Sequence, residues 1–299
     1  MSEKVQVLMS TYNGTRFLPE QLSSVYSQEG VSVALLVRDD SSTDGTCALL
    51  EKEKAAGRLE WYNGGNLGPA LSFWDTLHKA PDSDYYAFCD QDDVWDSDKL
   101  KVAVEQLRAS EATPALYFCQ TRLVDEALVE IPSVRIDPLL TYGESLVYHF
   151  VTGCTMVFND AMRRELLCYT PSYMRMHDIW IYSVAQAVGA KIYFDSTPHM
   201  SYRQHGSNVV GLKNSKRFVW RNRFERIKKN EHIRSIMAQE LLRGYGSKMQ
   251  PEHKALTMLA ANYRSSLSSW MKLLFSKKTK CAPLSINITS KIAILLRIF

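Results

Sequence analysis

Ala87-Phe88-Cys89-Asp90-Gln91-Asp92-Asp93-Val94-Trp95 is the stretch on which the reading of this chain turns. Three carboxylates fall within four residues, directly after the apolar run Tyr85-Tyr86-Ala87-Phe88. That run predicts a buried strand, which puts the carboxylates at its C-terminal mouth. In open α/β sheets the ligand crevice lies at the C-terminal ends of the strands. Like charges at this spacing repel one another, and a cation normally neutralises them. A hard-oxygen cluster suits Mg²⁺ or Mn²⁺ carrying substrate phosphates. The competing reading is an acidic turn capping the next helix, with Asp96 or Ser97 as N-cap.

Working outward, the same pattern recurs upstream. Val5-Gln6-Val7-Leu8-Met9 predicts a strand ending at Ser10-Thr11-Tyr12-Asn13-Gly14. Val33-Ala34-Leu35-Leu36-Val37 predicts a second, ending at Asp39-Asp40-Ser41-Ser42-Thr43-Asp44-Gly45-Thr46. Leu59-Glu60-Trp61-Tyr62 predicts a third, followed by the glycine-rich turn Asn63-Gly64-Gly65-Asn66-Leu67-Gly68-Pro69. Helical periodicity separates these runs, at about 17–28, 69–79 and 97–108. The first 110 residues thus read βαβαβαβα, a mostly parallel open sheet flanked by helices. The turn at 63–69 is neither a P-loop nor a GxGxxG fingerprint. Paired carboxylates end two of the four strands, so one pair can serve a base or ribose and the other a metal on a diphosphate.

Beyond residue 110, Ala115-Leu116-Tyr117-Phe118-Cys119 predicts a strand and 121–142 a variable loop. Residues 151–158 read as strand-like and about 160–168 as a helix. A helix opens at His177-Asp178 and runs to about 188, and 191–194 reads as a strand. Tyr202-Arg203-Gln204-His205-Gly206-Ser207-Asn208 reads as a polar loop closing the domain.

Net charge divides the chain. Residues 1–212 carry 17 Lys+Arg and 28 Asp+Glu, and residues 213–299 carry 19 and 4. An acidic body with a basic final third predicts that this third meets an anionic surface. Cations interleaved with Phe218, Trp220 and Phe224 predict a basic amphipathic helix, and a further helix is expected at about 251–275. This third can hold membrane lipid, pack on the acidic body, or form a homo-oligomer interface. A nucleic-acid-binding module is the reading of a different class, and it rests on this third alone. No signal peptide and no apolar run of membrane-spanning length is visible. The six cysteines are scattered without a CxxC pair, which predicts reduced thiols and neither a disulfide nor a zinc framework.

Over about residues 4–210 the chain resembles family 2 glycosyltransferases, which are inverting, metal-dependent enzymes of the GT-A fold. The resemblance is carried by Ser10-Thr11-Tyr12-Asn13, Asp39-Asp40-Ser41-Ser42-Thr43-Asp44, Asp90-Gln91-Asp92-Asp93, Thr152-Gly153-Cys154, His177-Asp178 and Gln204-His205-Gly206-Ser207-Asn208. Gln91 and His177 depart from the commonest family form. The motifs around Asp-Gln-Asp-Asp-Val-Trp, His-Asp-Ile-Trp and Tyr-Arg-Gln-His-Gly-Ser-Asn look most like bacterial polysaccharide rhamnosyltransferases. That subgroup implies dTDP-β-L-rhamnose as donor, a lipid-linked saccharide as acceptor, and work at the inner face of the cell membrane.

The resemblance also implies roles. Tyr12 would stack on the pyrimidine and Asp40 accept its N3–H, with Ser10 and Asp39 as neighbours or supports. Asp92 would hold ribose or the cation, Asp93 the cation, and His205 would be a late ligand of Mg²⁺ or Mn²⁺. Asp90 would orient the others or cap the turn. Asp178 would be the general base, taking the acceptor hydroxyl proton; a plain helix cap is its alternative. His177 is structural or acceptor-contacting. Trp95 and Trp180 are sugar platforms or core side chains. The expected organisation is a GT-A catalytic domain at 1–212, with a nucleotide-sugar half at 1–110 and an acceptor half at 111–212. A basic helical C-terminal region at 213–299 completes it.

Overall fold

The strand at Lys4–Thr11 (β1) is buried from Val5 to Met9 on both of its faces, which is why it reads as a continuous apolar run. The computed structural model describes residues 2–110, 112–132, 141–206, 232–281 and 284–299. After β1 come α1 (Leu18–Tyr26), β2 (Ser32–Asp39), α2 (Thr46–Ala55), β3 (Glu60–Asn63), α3 (Gly68–Lys79) and β4 (Tyr85–Cys89). Then follow β5 (Val94–Trp95), α4 (Lys99–Leu107), β6 (Ala115–Cys119), β7 (Arg122–Val124) and α5 (Tyr142–Ser145). The second half continues with β8 (Val157–Asn159), α6 (Asp160–Leu167), α7 (His177–Val188), β9 (Lys191–Asp195) and β10 (Met200–Arg203). Among the described residues four more helices follow: α8 (Ile233–Tyr245), α9 (Pro251–Ala261), α10 (Leu267–Leu274) and α11 (Leu284–Leu295).

Seven strands form one sheet in the order β3-β2-β1-β4-β8-β6-β9. Only β8 runs against its neighbours. The register puts the strand ends level: Thr11 pairs with Asp39, Asp39 with Asn63, and Met9 with Cys89. The loops after β1, β2, β3 and β4 therefore leave from one edge. Because β8 is antiparallel, the 3₁₀ turn before it, Gly153–Thr155, reaches the same edge. The right-handed crossovers expected of parallel strands are the helices that cover both faces.

A second, three-stranded sheet in the order β5-β10-β7 lies beyond β4. Its strands are too short to show a period in sequence. Residues 122–124 fall in the expected variable loop and 202–203 in the expected polar loop, whereas cross-chain pairing makes them strands. The expected strand at 151–158 shortens to Val157–Asn159, because the 3₁₀ turn at Gly153 interrupts it. The single helix expected at 251–275 is two helices, with Ser266 accepting the Ser269 N–H at 3.0 Å to start the second.

Trp180 is fully buried in the cluster that also holds Phe88, Phe158, Leu241, Tyr245 and Leu256. The sugar-platform reading of Trp180 is thereby corrected: its ring has no face to offer a ligand. Trp180→Ala should cost about 3–5 kcal/mol in denaturant unfolding while leaving the acceptor KM unchanged. A raised KM at normal stability would restore the platform. The same cluster takes side chains from α8 and α9, so a division at residue 212 is not a division of the hydrophobic core. The amphipathic helix expected within 213–229, and Ser207 and Asn208, lie outside the described residues. No helix among the described residues is long and apolar enough to cross a membrane.

Candidate active site

The helix-cap reading of the acidic stretch does not survive the fold. α4 starts after Asp98, and β5 stands between it and Asp93. The carboxylates instead occupy the mouth of β4, and each meets different company.

Asp92 and His205 meet: His205 Nε2 lies 2.6 Å from Asp92 Oδ2, across 113 residues of sequence. Arg203 builds this approach. Its N–H donates to Asp93 Oδ1 at 3.1 Å, and its Nε donates to the Asp92 carbonyl at 2.8 Å. Phe17 packs on the imidazole from the side, 4.9 Å between centroids. The carboxylate–imidazole pair is a donor set that a hard or borderline divalent cation accepts.

Asp93 does not join it. Its carboxylate is fully buried, and its Oδ2 has no hydrogen-bond partner among the described residues. Asp90, Asp93 and Cys154 bring ligand-type atoms within 4.8 Å of one another. Burial raises the Cys154 thiol well above its ordinary value, and so do the charges of Asp93 and Asp90. A protonated thiol is a poor ligand for Mg²⁺ or Mn²⁺, but it donates to the carboxylates beside it. Burial pushes Asp90 up to about 7, with the charges of Asp92 and Asp178 adding to the rise. Asp93 is raised for the same kinds of reason, burial first. A cluster in this state is short of positive charge, which is what a bound cation supplies. Asp93 thus stands in a buried group with Asp90 and Cys154, while Asp92 faces His205. Lys99 belongs to that buried group too: its ammonium is buried, 3.7 Å from the centre of the Trp95 ring. Trp95 is 3% exposed, so its sugar-platform reading is corrected as well.

On the nucleotide side, Tyr12 is 48% exposed and stands on the strand edge. Gln91 clamps its backbone, accepting the Tyr12 N–H at 2.9 Å and donating to the Tyr12 carbonyl at 3.0 Å. An extra carbon on Gly14 would collide with the Gln91 side chain. Asp39 is buried and accepts from Thr11 Oγ1 at 3.0 Å, Ser42 N at 2.8 Å and Ser42 Oγ at 2.6 Å. That makes it a support of the loop. Asp40 is 3% exposed, paired with the buried Arg38, and accepts the Leu67 and Gly68 N–H groups at 2.9 and 2.8 Å. Its oxygens hold the glycine-rich turn at Leu67–Gly68. Ser10 Oγ lies 2.5 Å from Ser72 Oγ, also a support.

Asp178 sits in the first turn of α7, where the helix dipole favours its charge. It accepts the Ile179 N–H at 2.6 Å. Burial nevertheless raises its carboxyl to about 6, against the pull of the Ile179 and Gly153 N–H groups. His177 is the structural partner of the two readings it carried. It is buried against Phe73 and Phe88, 4.2 and 4.9 Å between centroids. Burial holds it down to about 3, hence neutral. Gly153 is required beside it, since a Cβ there would lie 2.5 Å from His177 Nε2. Sequence reasoning did not single out Arg38, Gln91, Lys99, Gly153 or Arg203 as builders of the site. Gln91, Gly153 and Arg203 lie inside the quoted motifs, but their partners Tyr12, His177 and Asp93 lie far along the chain.

A seven-stranded, mostly parallel sheet with carboxylates and a histidine at one edge is the arrangement of the GT-A fold. Residues 6–168 match the family described as Glycosyl transferase family 2, and the chain belongs to that family. It is 29% identical over 225 residues to the dTDP-rhamnosyl transferase RfbG of Shigella flexneri, covering 68% of this chain and 73% of that one. It is 28% identical over 163 residues to the putative teichuronic acid biosynthesis glycosyltransferase TuaG of Bacillus subtilis, covering 52% of this chain and 62% of that one. Among solved structures, TarS 1–349 of S. aureus in complex with UDP-GlcNAc superimposes with a TM-score of 0.60 at 16% identity, covering 97% of this chain and 81% of that one. The mannosyltransferase PcManGT of Pyrobaculum calidifontis, in complex with GDP-Man and Mn²⁺, does so with 0.55 at 16%, covering 99% and 87%. The protein is a glycosyltransferase with the GT-A fold.

Proposed function

We propose that this glycosyltransferase moves L-rhamnose from dTDP-β-L-rhamnose, with inversion, onto a lipid-linked saccharide at the inner face of the cell membrane. The observation that carries the catalytic part is the separation of duties at the edge of the sheet. Asp92 meets His205 at the mouth of β4, while Asp178 belongs to another element, the first turn of α7, with its carboxyl raised to about 6. The likeness to RfbG supports the donor.

Asp178 takes the proton from the acceptor hydroxyl as that oxygen attacks the anomeric carbon. The bond from that carbon to the diphosphate oxygen breaks, and the electron pair leaves with the nucleoside diphosphate. In-line displacement turns a β donor into an α linkage. Mg²⁺ or Mn²⁺ held by Asp92 and His205 would offset the charge on the leaving diphosphate. Tyr12 offers the pyrimidine a stacking face, Gln91 holds that tyrosine, and the Arg38–Asp40 pair shapes the loop beside it.

Incubation with dTDP-, UDP- and GDP-sugars, with and without Mn²⁺, reads the donor as released nucleoside diphosphate. Release from dTDP-rhamnose alone, dependent on the cation, is expected. A second reading, another UDP- or dTDP-sugar, is favoured by the likeness to the Escherichia coli glucosyltransferase WfaP, whose name specifies UDP-Glc. Turnover of a UDP-hexose in preference to dTDP-rhamnose would establish it.

A further inference from the structure

Fifteen large hydrophobic side chains are exposed among the described residues, and eight of them fall between positions 267 and 296. Scattered apolar residues on a surface are ordinary, whereas a concentration of them marks a contact site. The concentration has a helical order. Along α10 and its C-cap, Met271 and Phe275 follow at a four-residue step, and Phe275 is 70% exposed. On α11, Leu284, Ile288 and Ile292 follow at four-residue steps and Leu295 three later, which sets them on one stripe. These are not misplaced core residues. The inner faces of the two helices are already used: Leu273 and Ile294 are buried, and Trp270 Nε1 donates to the Ile294 carbonyl at 2.7 Å. Lys291 Nζ donates to the carbonyls of Leu273 and Ser276 at 3.2 and 3.1 Å, pinning α11 to the end of α10.

Charge identifies the occupant. No acidic residue follows Glu252, while Lys272, Lys277, Lys278, Lys280 and Arg297 are exposed on or next in the chain to these helices, Lys278 paired with Glu252. A two-fold contact between copies sets like surface against like, and here it would press cations against cations. An anionic bilayer accepts both features at once. The apolar stripes enter the acyl boundary, and the lysine stems lie along it with their ammonium groups among the phosphates.

We infer that α10 and α11 form a monotopic docking surface for an anionic lipid bilayer. The inference deepens the membrane-face part of the proposed function, and it stands on these two helices independently of the catalytic residues.

The test is co-sedimentation of the full chain with vesicles of phosphatidylglycerol and phosphatidylcholine, against phosphatidylcholine alone. Wild type should pellet with the anionic vesicles, less so as salt rises. The variant Phe275→Ser/Ile288→Ser/Ile292→Ser changes only exposed positions, so its thermal melting should match wild type while vesicle binding falls by about tenfold or more. A second variant, Lys277→Gln/Lys278→Gln/Lys280→Gln, should lose the preference for anionic vesicles. Serine-variant binding equal to wild type overturns the inference. So does a wild-type dimer that the serine variant disperses without any vesicle binding, or a preference for DNA over vesicles. Release of nucleoside diphosphate from free donor, measured on the same preparations, separates the two readings. Its absence alongside intact vesicle binding sinks the catalytic proposal and leaves the docking surface standing.

Discussion

Asp178→Asn is expected to lower kcat by about 10²- to 10⁴-fold, the range attributed to a positioned general base. Donor and cation binding should be unchanged, because the amide keeps the size of the side chain and Asp178 is not a member of the Asp92–His205 pair. The pH profile sharpens the test. The base works deprotonated, and burial has raised its carboxyl to about 6. Activity should therefore be full above that pH and fall as pH drops through it, by about tenfold per unit well below. A cation nearby favours the carboxylate and moves this limb to lower pH, never higher. The residual activity of Asp178→Asn should lack the limb. Wild-type turnover in the variant, or an unchanged acid limb, refutes the assignment and leaves the residue as a helix cap.

Asp92→Ala is the second large effect. It removes one member of the pair at the mouth of β4 and leaves His205 without its carboxylate partner. Turnover should fall by at least about a hundredfold, the scale of losing a direct stabiliser of developing charge. Unlike Asp178→Asn, it should also weaken Mn²⁺ binding, read by titration calorimetry with nucleoside diphosphate present. His205→Ala should follow the same pattern more mildly, because the carboxylate carries the charge. Asp93→Asn is the instructive control. Asp93 lies in the buried layer with Asp90 and Cys154, so its loss should appear first as altered stability with cation affinity kept. Cation affinity lost in Asp93→Asn but kept in Asp92→Ala would reverse these two roles.

Local pattern carried much of this protein. Buried parallel strands are continuous apolar runs, so β1, β2, β4 and β6 stand out along the chain. Carboxylates placed directly after such runs can only lie at strand mouths. The short strands of the second sheet carry no such signature, since two to four residues cannot show a period. Nor can a tryptophan on a helix or strand declare whether it faces core or ligand. Trp95 and Trp180 were equally eligible for both, and only packing put them inside.

The amino-acid sequence by itself determined the sheet, its ligand edge and the carboxylates that stand there, because each is written in neighbouring residues. Tertiary structure alone decided which partners each carboxylate meets. Asp40 turned out to hold the turn at Leu67–Gly68, Asp93 to lie in a buried group with Asp90 and Cys154, and Asp92 to face His205. The physical reason is that burial and hydrogen-bond partners set the state of an acidic side chain, and here those partners lie up to 113 residues away.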